Sequence, residues 1–203
     1  MLAIVDYGAG NLRSVRKALD YLGAAVEITS DPAVVRRANA VLLPGVGSFA
    51  DAMDQLRRRG LVEVLREAAD GSRPFLGICL GLQLLFSSSE ESPGAEGLGV
   101  LPGKVLRIPA GEGRKVPHMG WNSLELCRRE GVLAGIPDDT YVYFVHSYYV
   151  RAGESRLVAA RTEYGVSIDA AVSRGLLTAT QFHPEKSGEA GLEMLRNFLG
   201  LRG

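Results

Sequence analysis

Cysteine is scarce in this chain. Its 203 residues include two, Cys79 and Cys127, set far apart, so no disulfide scaffold is expected and each thiol stands alone. No signal-peptide pattern is present, and a reducing, cytoplasmic compartment is the expectation. Neither sign of charge is in excess: 23 Lys and Arg face 23 Asp and Glu, which excludes a global basic field for nucleic acid and the imbalance typical of disordered chains. No apolar run approaches the roughly 20 residues that span a bilayer, because Gly, Pro or a charge breaks every stretch, so no membrane partner is expected. Histidine is also rare, and imidazole chemistry is confined to His118, His146 and His183. What is abundant is hydrophobic residues, at 46%. A chain of this length buries roughly 70% of its unfolded surface, which predicts one domain over residues 1–203 without a second hydrophobic core.

Residues Leu2 to Tyr7 read as an apolar strand running into Gly8-Ala9-Gly10-Asn11, a turn whose last residue can cap a helix from Leu12 to Leu22. Val26 to Thr29 and Ala40 to Leu43 are strands on either side of a small helix, Val34 to Ala38, introduced by Asp31-Pro32. Helical pieces from Phe49 to Leu56 and Leu61 to Ala69 part near Gly60. Pro74 to Ile78 is continuously apolar, as a strand buried on both faces should be. Turn residues dominate from Gly94 to Pro117, leaving room for a strand from Lys104 to Ile108 but for no long helix. Tyr141 to Val150 and Arg156 to Glu163 are β-rich. Val166 to Ser173 alternates like a half-solvated strand, and the Arg174-Gly175 turn joins it to an antiparallel partner from Leu176 to Phe182. A helix from Ser187 to Leu199 comes last. The predicted class is α/β: a three-layer, doubly wound, mostly parallel sheet with helices on both faces and an added antiparallel portion.

Gly77-Ile78-Cys79-Leu80-Gly81 places a thiol between the buried strand and a predicted helix from Leu82 to Ser88. This has the form of a nucleophile elbow, in which the central residue is strained and bulk at the flanking glycines would collide where strand and helix approach. The helix N-terminus would lower the thiol pKa and offer backbone donors to an oxyanion. A thiolate attacking an amide needs a proton shuttle, and His183-Pro184-Glu185 supplies an imidazole with an orienting carboxylate if the backbone there is extended, since the side-chain period of a strand is two. Pro44-Gly45-Val46-Gly47 follows the third strand at the same sheet edge, so Val46 or Gly47 and Leu80 are the candidate oxyanion donors. Gly8-Ala9-Gly10 lacks the third glycine of a dinucleotide loop, and His183 with Glu185 falls short of a metal cluster. Neither a cofactor nor a metal is expected. Cys127 lies outside any elbow pattern and is expected to be inert; His118 and His146 are expected to be structural or at a substrate edge.

Gly77 to Gln83, Pro44 to Gly47 and His183 to Glu185, in that order and spacing, resemble the class I, triad-type glutamine amidotransferases over almost the whole chain. The resemblance implies hydrolysis of the side-chain amide of L-glutamine, with Cys79 as nucleophile, His183 as base and acid, and Glu185 as orienting carboxylate. It also makes Gln83 and the stretch His146-Ser147-Tyr148 look like the glutamine-binding edge. Within that family, Tyr7 to Leu12, Pro117 to Asn122, Tyr143 to Tyr148 and Pro184 to Ser187 look like signatures of the glutaminase subunits of histidine biosynthesis. That likeness implies a separate (β/α)8-barrel cyclase, which uses the ammonia to convert PRFAR into imidazole glycerol phosphate and AICAR. It places Asn11, Trp121, Tyr143 and Lys186 at the mouth facing that partner. Three other readings stay open at this point: a glutaminase serving another acceptor such as a pyridoxal phosphate synthase, a catalytically silent binding subunit on the same shell, and a cysteine peptidase or small-molecule amidase.

Overall fold

The computed structural model describes residues 1–8, 12–111 and 113–200. The turn cap expected from Asn11 lies outside them. In chain order the elements are β1 (Leu2–Val5), α1 (Leu12–Tyr21), β2 (Val26–Thr29), α2 (Pro32–Arg37), β3 (Ala40–Gly45), α3 (Phe49–Arg58), α4 (Val62–Ala68), β4 (Phe75–Cys79) and α5 (Leu80–Gln83). There follow β5 (Gly103–Arg107), β6 (His118–Ser123), β7 (Glu125–Leu126), β8 (Tyr141–His146), β9 (Tyr148–Ala152), β10 (Val158–Glu163), β11 (Ser167–Arg174), β12 (Leu177–Thr180) and α6 (Gly188–Phe198). Local chemistry sets several boundaries. Asp31 caps α2 by accepting from Ala33 N–H at 2.8 Å, with Pro32 at the first helical position.

Eight strands form one sheet in the order β2-β1-β3-β4-β12-β11-β10-β7. The run from β2 to β12 is parallel, and β11, β10 and β7 add to it antiparallel. β5 with β9 and β6 with β8 make two separate two-stranded ladders. The predicted mostly parallel, helix-covered sheet with an antiparallel extension is therefore present.

Three expectations need correction. Buried apolar residues form two large clusters, because alternate side chains of each strand leave opposite faces of a sheet covered on both sides. Ala3, Val5 and Leu43 pack with α2, α3 and α4 on one face, while Leu2, Ile4 and Leu42 pack with α1 and α6 on the other. β11 is not half-solvated: Ile168 through Val172 are all buried, and on the side expected to be wet Asp169 accepts from Ala152 N–H at 3.0 Å and from Arg161 while Ala171 joins the second cluster. The helix after Cys79 starts at Leu80 and makes a single turn instead of running from Leu82 to Ser88.

Candidate active site

β4 lies between β3 and β12, and Cys79 is its last residue, paired with Gly45. Its backbone sits at φ 55° and ψ −107°, a conformation that costs about 1–3 kcal/mol and persists only where neighbours enforce it. The neighbours do so through glycine. A Cβ on Gly81 would stand 1.9 Å from the Leu43 carbonyl oxygen, and one on Gly77 would stand 3.0 Å from both Ala179 Cβ and the Gly81 carbonyl. Gly45 is compelled as well, since a Cβ there would lie 2.4 Å from the Tyr7 hydroxyl. The elbow is held from three sides.

β12 runs parallel to β4 with Thr180 opposite Ile78, so the chain leaves both strands at the same edge. His183 follows three residues later. Its N–H donates to the Tyr143 carbonyl at 3.0 Å, and the Ser187 hydroxyl donates to its carbonyl at 2.7 Å. The same hydroxyl oxygen accepts from Tyr143 N–H at 3.0 Å, clamping β8 to the histidine. His183 Nδ1 lies 2.8 Å from Glu185 Oε1, with side chains only 4% and 2% exposed. The pairing was expected from extended backbone; instead Pro184–Lys186 is a 3-10 turn that folds the carboxylate back onto the ring. Burial lowers the proton affinity of His183, but the hydrogen-bonding and negative charge of Cys79 and Glu185 outweigh it, and the pKa is pushed up to about 9. His183 Nε2, the ring nitrogen away from Glu185, has no hydrogen-bond partner among the described residues.

Cys79 and His183 open onto one cavity of about 350 Å³. Val46, Gly47 and Leu80 line it, as do Gln83, His146, Ser147 and Tyr148, so the structure brings together all the oxyanion and substrate-edge candidates. Gly47 takes φ 98°, a backbone conformation that favours glycine. Three further residues were not among the expected site residues, although Ser187 closes the stretch from Pro184. Glu91 lines the cavity, its carboxylate accepting from Phe49 N–H at 2.7 Å. Gln181 is fully buried with Nε2 3.7 Å from the Cys79 sulfur. Ser187 is the clamp just described. His118 and His146 are bonded to each other, and desolvation by burial pulls them down to about 4 and about 3. Cys127 is exposed, and partial desolvation raises its thiol despite nearby Arg161 and Arg128.

The ladder of β6 and β8 explains where the remaining candidates lie. His118↔His146, Gly120↔Phe144 and Asn122↔Val142 form one set of rows, Met119↔Val145, Trp121↔Tyr143 and Ser123↔Tyr141 the other. The second set carries exposed Met119, Trp121 and Tyr141. Trp121 meets the Tyr143 ring edge-on at 6.1 Å, and Lys186 Nζ sits 5.7 Å from the Tyr143 centroid. Lys186 and Val145 also line the cavity, so this apolar row begins at its rim. Asn11 lies outside the described residues.

A strained cysteine at a sheet edge, a buried histidine–carboxylate pair beside it and a cavity that both enter define a thiol acyl-transfer site. Residues 3–200 match the family model for glutamine amidotransferase class-I, and the chain belongs to that family. It is 55% identical over 197 residues to the imidazole glycerol phosphate synthase subunit HisH of Moorella thermoacetica, covering 97% of this chain and 93% of that one. To the subunit of the same name from Methanothermobacter thermautotrophicus it is 53% identical over 199 residues, covering 98% of each. Among solved structures, one described as a glutamine amidotransferase superposes with a TM-score of 0.76 at 24% identity, over 98% of this chain and 97% of that one, a likeness of fold. No helix among the described residues is long and apolar enough to cross a membrane.

Proposed function

We propose that this single-domain chain is the glutaminase subunit of an imidazole glycerol phosphate synthase in the cytoplasm, and that Cys79, His183 and Glu185 carry its chemistry. The Cys79 thiolate attacks the γ-carboxamide carbon of L-glutamine, and the oxygen that gains charge is met by the backbone N–H groups of Val46 or Gly47 and Leu80. Collapse breaks the C–N bond as imidazolium His183 gives its proton to the leaving nitrogen, releasing ammonia and leaving a γ-glutamyl thioester. Neutral His183 then takes a proton from water, the hydroxide adds to the thioester, and glutamate leaves with Cys79 restored. Glu185 holds the ring and supports its charged form throughout. Gln83, His146, Ser147 and Tyr148 form the substrate edge, and Glu91 offers the negative charge that the α-ammonium of glutamine requires.

Ammonia released into water at neutral pH becomes ammonium, which is not a nucleophile, so its user must seal the cavity mouth. Lys186 lines that cavity with Tyr143 and Trp121 beside it, and these three belong to the surface for a (β/α)8-barrel cyclase that converts PRFAR into imidazole glycerol phosphate and AICAR. Aromatic residues with a cation at the rim suit such an interface. The observation that carries this reading is the opening of Cys79 and His183, from neighbouring parallel strands, onto one cavity with an exposed apolar row at its rim. The test mixes the chain with its cyclase, PRFAR and glutamine and measures glutamate and imidazole glycerol phosphate together. Equal production of both supports the reading; glutamate without the second product points to another acceptor.

A further inference from the structure

The bond directions around the nucleophile follow from a single carbonyl. Tyr148 C=O can only accept, and both His146 Nδ1 and Gln83 Nε2 lie 2.9 Å from it, so both are donors. Gln83 Nε2 also lies 3.2 Å from Gln181 Oε1. The amide of Gln181 therefore turns its NH₂ toward the Cys79 sulfur, 3.7 Å away. On the other side of the carbonyl, a neutral His146 with its proton on Nδ1 accepts at Nε2, so His118 Nδ1, at 3.0 Å, is the donor. His118 Nε2 then accepts from Asn122 Nδ2 at 3.4 Å.

We propose that Gln181 is a catalytic hydrogen-bond donor to the Cys79 thiolate, held in the donating sense by a buried chain that runs through Gln83 and the Tyr148 carbonyl to His146 and His118. This rests on Cys79 being the nucleophile. The need for such a donor is visible at the sulfur. The Val145 carbonyl lies 3.9 Å from it, an acceptor that suits a thiol and repels a thiolate. α5 is a single turn, too short to supply the field of a full helix N-terminus. Gln181 is fully buried, its backbone N–H is fixed on the Ala170 carbonyl at 2.8 Å, and its Oε1 is engaged by Gln83, so its amide is pre-set and pays no ordering cost when charge appears on sulfur. Because Gln181 does not line the cavity, it acts on the sulfur and leaves glutamine binding alone.

The experiment uses the glutaminase–cyclase complex and compares wild type, Gln181→Met, Gln83→Leu and Cys79→Ala. Iodoacetamide at fixed pH reads the thiolate at Cys79, exposed Cys127 is the internal standard, and glutamate release gives kcat and KM. Loss of a hydrogen bond to a charged group predicts that Gln181→Met slows both Cys79 alkylation and kcat about tenfold or more. KM stays within about twofold and Cys127 reacts at its wild-type rate. Gln83→Leu frees the amide to turn and slows Cys79 alkylation by a smaller factor, about threefold. Wild-type alkylation in both variants overturns the proposal, as does a rise in KM with kcat intact. If Cys79→Ala still releases glutamate, the reading of Cys79 as nucleophile fails; if it is inactive while Gln181→Met is normal, the role of Gln181 alone fails.

Discussion

Replacing Glu185 with glutamine keeps the shape of the side chain and removes one buried charge. The carboxylate faces His183 Nδ1 at 2.8 Å, and both side chains are shielded from water, so solvent screens little of the interaction. A hydrogen bond to a charged group contributes about 1.5–3 kcal/mol and a neutral one about 0.5–1.5, so the exchange removes about 1–1.5 kcal/mol from the imidazolium form. At about 1.36 kcal/mol per pKa unit, His183 moves roughly one unit down from about 9, toward the direction in which burial already pulls it. The imidazolium that protonates departing ammonia loses the same support, and kcat for glutamate release falls about five- to twelvefold. The assay is glutamate release at saturating glutamine, in the presence of the cyclase and its substrate, across pH. The alkaline limb, where the imidazolium is lost, should move about one unit toward acid. A Glu185→Gln enzyme within about twofold of wild type, with an unmoved profile, would refute the assignment of Glu185 to this role.

Gly81→Ala forces a Cβ to 1.9 Å from the Leu43 carbonyl oxygen, backbone that cannot yield, so denaturant unfolding should show a loss of about 4 kcal/mol or more. His118 has a folded pKa of about 4, below the unfolded value of about 6.5, so the native chain stays neutral while the unfolded one gains a proton. Its contribution is full above about pH 6.5 and is lost as pH falls toward 4; His118→Phe, which keeps an aromatic ring between Phe144 and Tyr164, should make the acid slope of stability shallower by up to about 1.4 kcal/mol per pH unit. Trp121→Ala removes an exposed aromatic from the apolar row and should weaken cyclase binding by about 2 kcal/mol, roughly thirtyfold, with the melting temperature unchanged; calorimetric titration reads it.

Much of this was legible because backbone constraints leave strong marks in sequence. The glycines at 77 and 81 announce a turn that nothing larger can enter, and the short apolar strands separated by amphipathic helices announce a parallel sheet. From these alone, Cys79 falls at the sheet edge. His183 and Glu185 were also identified, but for an incomplete reason: the turn at Pro184–Lys186, not strand alternation, joins them. Gln181 escaped because a polar residue at the end of a strand looks the same whether it faces solvent or a buried sulfur, and only the pairing of β12 with β4 tells the two apart; the Ser187 hydroxyl bridges β8 and His183, a contact that its own motif does not announce. Glu91 sits in a run of polar residues, where a solvated surface is the default. The burial of β11 could not be read from its own alternation, since the groups that engage its polar side, the Ala152 N–H and the Arg161 guanidinium on Asp169, come from other strands.

The most direct measurement is the mass of the intact protein and of its peptides after exposure to an electrophile shaped like glutamine. The account predicts one adduct per chain, on buried Cys79 and not on exposed Cys127, formed more slowly when His183 is replaced by alanine. Modification of Cys127 alone, or an adduct on Cys79 that forms at the same rate without His183, would contradict it.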